Sequence, residues 1–124
     1  MYINNWNRES VMKQIRLKNK GYRCNDIKTD FCKYDDGDDN HCLVGCFIPS
    51  SEYCASMESK PADDVIYDFD LEGFMPMESS QMKLLQKAHD HRGQDDYILE
   101  GVNAEEYYKN IENCLIQMEL NYNV

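Results

Sequence analysis

Two hydrophobic periods alternate along this chain, and each predicts its own kind of element. Between residues 7 and 20, Val11, Met12 and Ile15 make a helical stripe that Gly21 can stop, which predicts a first helix. The stretch "PADDVIYDFDLEGF" is mixed. Val65, Tyr67 and Phe69 alternate as in a strand, but the Pro-Ala-Asp-Asp opening is a helix start, and a helix over 62–69 is the expectation. "SSQMKLLQKAHDH" places Met82, Leu85 and Ala88/His89 on one face, with Ser79 or Ser80 available as a cap, and predicts a helix over 80–91. The clearest stripe is the last, over 104–120. Asn103 stands at the N-cap position with Glu106 three residues on, and Tyr107, Ile111, Cys114, Leu115 and Met118 follow at helical spacing. The period-two signal lies in "FCKY" (31–34) and "HCLVGCFI" (41–48), which read as two strands joined by the turn "DDGDDN" and ended by Pro49. The expected fold is a single α+β domain over residues 1–124, a β-hairpin or short antiparallel sheet packed by three to four helices.

Composition adds a compartment. No apolar run approaches the roughly 18 residues of a membrane span, and the polar N-terminus "MYINNWNRES" lacks the apolar core of a secretory signal. The expected location is the cytoplasm, where six cysteines serve as thiols or metal ligands rather than as disulfides.

Charge adds a partner. The net charge is −10, and residues 1–29 carry +5 while residues 30–124 carry −15. Such a surface repels nucleic acid directly and attracts basic proteins at long range. The commoner meaning of such charge is simple solubility. The sharper one is a protein that docks on a basic groove as a phosphate backbone would. On that reading the contact residues are Asp35, Asp36, Asp38 and Asp39 on the turn, with Asp63, Asp64, Asp95 and Asp96.

Cysteine and histidine offer the main alternative. A tetrahedral zinc site needs four N/S ligands at one point. Cys32, Cys42 and Cys46, with His89 as a fourth ligand, would form a Cys₃His site. On a straight strand, positions 42 and 46 lie roughly 13 Å apart at about 3.3 Å per residue. Such a site therefore requires a bend at Gly45 and a register that turns Cys32 to the same side. The competing reading is that these thiols are small apolar core residues. "DDGDDN" fails as a calcium loop, because Cys32 and Tyr34 occupy ligand positions. "HDH" (89–91) carries a metal-phosphohydrolase dyad without the partners that chemistry needs. No phosphate-binding or nucleophile-elbow motif is present. An enzyme is the less expected reading and stays open: the alternatives to a binding protein are a zinc-stabilised domain or small metal-dependent enzyme using Cys32, Cys42, Cys46 and His89, and a small-ligand or nucleotide-sequestering protein.

The segment 32–58 resembles a family of small uncharacterised phage and bacterial proteins with the pattern C-x-Y, an acidic or Gly turn, C-x-V-G-[CH]-x-I-P, then a Tyr and a Met-Glu pair. The matching residues are Cys32, Tyr34, Cys42, Val44, Gly45, Cys46, Ile48, Pro49, Tyr53, Met57 and Glu58, and "LLQKAHD" (84–90) is similar to a helical stretch of the same family. The resemblance implies a phage-type small protein; joined to the acidic surface, it makes the expected function the binding and inhibition, in the host cytoplasm, of a host protein with a basic surface, a nucleic-acid-binding or defence protein. It also implies that Cys or His can stand at position 46, as suits a metal ligand. It implies no activity.

Overall fold

A computed structural model describes residues 1–21, 33–35, 37, 40–58, 60–90 and 104–122, with 87–90 and 122 described by backbone alone. Four helices carry the fold: α1 (Arg8–Lys18), α2 (Ala62–Asp68), α3 (Ser79–Asp90) and α4 (Ala104–Tyr122). Asn7 caps α1: its side chain accepts from the Ser10 amide at 2.8 Å, and Ser10 Oγ accepts from the Asn7 amide at 3.0 Å. This reciprocal pair satisfies two donors that a helix N-terminus leaves over. The four expected helices are thus present, with ends shifted by one or two residues. Residue 91 and the Asn103 cap lie outside the described residues.

The expected hairpin is not present among the described residues. No strand occurs among the described residues, so the fold is helical rather than α+β. Residues 43–44 turn, Gly45–Phe47 form a 3₁₀ turn, and the Cys46 amide donates to the Cys42 carbonyl at 3.0 Å. Between the described residues 33–34 and 41–48, one backbone bond, Cys42 N–H to the Lys33 carbonyl at 3.2 Å, stands where the ladder was expected. Residues 31 and 32 of the expected first strand lie outside the described residues.

What replaces the ladder is a set of side-chain amides. Buried polar backbone must be paired with something. Asn19 Nδ2 donates to the His41 carbonyl at 2.7 Å, and Gln14 Nε2 donates to the Cys46 carbonyl at 2.8 Å. Gln86 Oε1 accepts from the Val44 amide at 3.0 Å. Helices α1 and α3 therefore hold the run 41–48 in the interior without a sheet partner. The apolar character that suggested a strand is the character of a segment buried on every side, since residues 42–48 are all buried.

One hydrophobic cluster unites the elements. It contains Val11 and Ile15 of α1, Leu43 and Val44 of the buried run, Val65 and Ile66 of α2, Met82 and Leu85 of α3, and Tyr107, Ile111 and Leu115 of α4. Met57, Met75 and Met77 fill the gaps between them, a use suited to an unbranched side chain. Helix α2 packs on α3, α3 on α4, and α4 on α1. The basic first helix lies against the acidic last one, with Arg8 bound to Glu119 at 3.2 Å and Arg16 to Glu105 at 2.7 Å. Among the described residues, no helix is long and apolar enough to cross a membrane.

Candidate functional site

Described residues between 33 and 60 form a knot around one carboxylate. Glu58 Oε1 accepts from the Tyr34 amide at 3.0 Å. Its Oε2 accepts from the Asp35 amide at 3.2 Å and from the Tyr53 hydroxyl at 2.6 Å. The Tyr34 hydroxyl donates to the Lys60 carbonyl. Gly45 lies so close to Tyr34 that a Cβ there would meet the Tyr34 carbonyl oxygen at 2.2 Å. His41 Nδ1–H donates to that same carbonyl at 3.0 Å, which leaves the Nε2 lone pair as the acceptor of the neutral ring. Burial, ahead of the bond to Glu58, pushes the Tyr53 phenol well above its ordinary value. Tyr34, Gly45, Tyr53 and Glu58, named above for a sequence pattern, thus meet at one structural joint.

Two adjoining cavities flank the run 41–50, and Lys18, Ile48 and Ser50 line both. The smaller, of about 80 Å³, is also lined by Tyr34, Asp35, His41, Gly45 and Tyr53. The larger, of about 290 Å³, is a cleft lined by Trp6, Phe47 and Phe74 with Gln14, Cys46 and Pro49. Trp6 meets Phe47 edge-on, with ring centroids 5.1 Å apart. Among the described residues, no thiol or hydroxyl is hydrogen-bonded to His41. A third hollow, of about 760 Å³, runs between α1 and α4 past Arg8, Arg16, Glu112 and Glu119, where Arg8 and Glu119 already pair with each other.

The zinc candidates divide. Cys42 and Cys46 are both buried and stand one helical turn apart, so the separation expected of a straight strand does not apply. The bend required at Gly45 is present, and the Gly45 amide donates to Cys42 Sγ at 3.4 Å. Cys32 and the His89 side chain lie outside the described residues, although the His89 backbone belongs to α3. No group of three or more His, Cys, Asp and Glu side chains is placed to hold a metal among the described residues.

The acidic candidates divide as well. Asp36, Asp38, Asp39, Asp95 and Asp96 lie outside the described residues. Asp35 is half-buried in the knot, where its Oδ1 accepts from the Gly37 amide at 2.9 Å and closes a turn. Asp63 lies 3.6 Å from Lys83 and ties α2 to α3. Asp64 is exposed on α2.

Sequence reasoning missed the residue beside it. Tyr67 is 78 % exposed, three positions after Asp64, with exposed Asp68 next to it. Its helical phase could have shown this. Val65, Ile66 and Phe69 define the inner side of α2, and Tyr67 falls off it. The amides of Gln14, Asn19 and Gln86 were missed too, because nothing in a sequence marks a polar helix residue as the partner of a distant loop.

No protein-family model, curated protein or solved structure matches this sequence.

Proposed function

We propose that this chain is a binding protein that docks a basic partner protein through the outer face of α2, centred on Tyr67 with Asp64 beside it and with Asp68, whose exposed pair with Lys60 at 3.8 Å an incoming guanidinium can replace. The observation that carries this reading is the exposure of Tyr67, 78 % of whose surface faces solvent on a short helix rich in carboxylates. A tyrosine is among the residues that contribute most when buried at an interface, and its ring face attracts a cation. Flanking carboxylates supply the rest of an arginine site: the guanidinium stacks on the ring while its N–H groups reach a carboxylate. The net charge of −10 supports the same polarity by steering a basic surface toward the molecule.

The resemblance to small phage and bacterial proteins makes a basic host protein of the cytoplasm, such as a nucleic-acid-binding or defence protein, the partner class to test. Occupying its basic groove would inhibit it.

The experiment uses an arginine-rich peptide and a lysine-rich peptide of equal charge, each titrated by calorimetry over a salt series. The arginine peptide should bind more tightly, and both should weaken as salt rises. Tyr67→Ala should lower arginine-peptide affinity by roughly five- to tenfold and abolish the preference over lysine. Asp64→Asn with Asp68→Asn should weaken both peptides. No binding at low salt, or an arginine preference that survives Tyr67→Ala, overturns the proposal.

A further inference from the structure

The aromatic cleft beside the buried run has a chemistry that differs from the rest of the molecule. In a chain of net charge −10, the described residues that line this cleft include no carboxylate. They include three aromatic rings, Trp6, Phe47 and Phe74, and one cation, Lys18. Lys18 is half-buried, and among the described residues it has no carboxylate within ion-pair distance, whereas Arg8, Arg16, Lys60 and Lys83 each have one. Gln14 beside it donates to the Cys46 carbonyl, and Lys18 is the one charged group in the described lining of the cleft. Its volume of about 290 Å³ lies at the small end of ligand sites, which run roughly 300–1,000 Å³.

We propose that this cleft binds a small aromatic acid of one or two rings, its ring among Trp6, Phe47 and Phe74 and its carboxylate on Lys18. Ring-on-ring contact favours edge-to-face or offset arrangements, and the edge-on pair of Trp6 and Phe47 already offers a ring face and a ring edge. Charge complementarity selects the anion. A neutral aromatic forfeits the contact with Lys18, and an aromatic cation meets its repulsion. The site is separate from the outer face of α2 and does not depend on a protein partner.

The chain has one tryptophan, and it lines the cleft, so its fluorescence reports on this site. The intact protein is titrated with para-nitrobenzoate and, separately, with the neutral para-nitrobenzyl alcohol, both of which quench tryptophan. Free N-acetyltryptophanamide corrects for collisional quenching. Para-nitrobenzoate should quench saturably and bind roughly tenfold more tightly than the alcohol. Lys18→Gln should bring the two probes to equal affinity without changing the melting temperature. Phe74→Ala, at a ring already 40 % exposed, should weaken both probes alike. Quenching that never exceeds the collisional level in the millimolar range overturns the proposal. So does an anion preference that survives Lys18→Gln in a protein that still melts normally.

Discussion

Single atoms decide the geometry of the joint between residues 33–35 and the buried run. Gly45 is required by space rather than by backbone freedom, because the Tyr34 carbonyl oxygen stands 2.2 Å from where a Cβ would lie. A methyl group there forces apart two segments that the His41 ring and the Cys42–Lys33 backbone bond hold together. Gly45→Ala should therefore destabilise by about 2–3 kcal/mol, the upper part of the range for an overpacked core, and chemical denaturation of the variant measures it. Wild-type stability in Gly45→Ala would show that the joint yields easily. Three tyrosines add a pH dependence of known sign. Burial raises the phenols of Tyr2, Tyr53 and Tyr108 above their ordinary value, with the Glu119 charge adding at Tyr2 and the bond to Glu58 at Tyr53. Below about pH 10 these groups are protonated in both folded and unfolded chains and contribute no slope. Above it the unfolded chain releases protons that the folded chain keeps. Stability then falls with rising pH until the folded phenols themselves ionise. The melting temperature should thus be insensitive to these tyrosines up to about pH 10 and fall beyond it, and Tyr53→Phe should make the alkaline fall shallower.

At the level of elements, the helices were legible and the hairpin was not, for one physical reason. A helix satisfies its own backbone, so the 3.6 period of Val11, Met12 and Ile15, or of Tyr107, Ile111 and Leu115, needs no information from elsewhere in the chain. "HCLVGCFI" is a different case. A short apolar run of this length is compatible with a strand or with any segment buried on all sides. The choice is made by who pairs its backbone. The partners are Gln14, Asn19 and Gln86, up to 42 positions away, and each looks in sequence like an ordinary polar surface residue. The neighbourhood of 33–34 and 41–45 was foreseen, and their contact is real, but it runs through one backbone bond, one histidine ring and one glycine. The candidate site was legible in the same partial way. The thiol pair 42/46 and the need for a bend at Gly45 followed from spacing. The aromatic cleft did not, because Trp6, Phe47 and Phe74 come from three distant segments and share no motif.

At the scale of the whole molecule, two electrostatic effects oppose each other, and their balance can be measured. Ion pairs join α1 to α4 through Arg8–Glu119 and Arg16–Glu105, and Asp63–Lys83 joins α2 to α3. Their side chains are between 31 % and 81 % exposed, and exposed pairs contribute about 0–1 kcal/mol each. Salt weakens them. Against them stands the mutual repulsion of a chain with net charge −10, which disfavours the compact state and which salt relieves. Two of the seven cations in residues 1–29, Arg8 and Arg16, pair with α4, and residues 30–124 carry a net charge of −15 that the +5 of residues 1–29 offsets only in part. Repulsion acts over the whole surface, whereas each exposed pair is local, so repulsion should dominate. Raising sodium chloride from low to physiological levels should stabilise the protein by roughly 1 kcal/mol, a rise of roughly 3–6 °C in melting temperature for a domain of this size. The binding of a basic peptide moves the opposite way, weakening over the same salt range. A melting temperature that falls with salt would show that the ion pairs dominate, and that the acidic surface is already neutralised within the fold rather than held open for a partner.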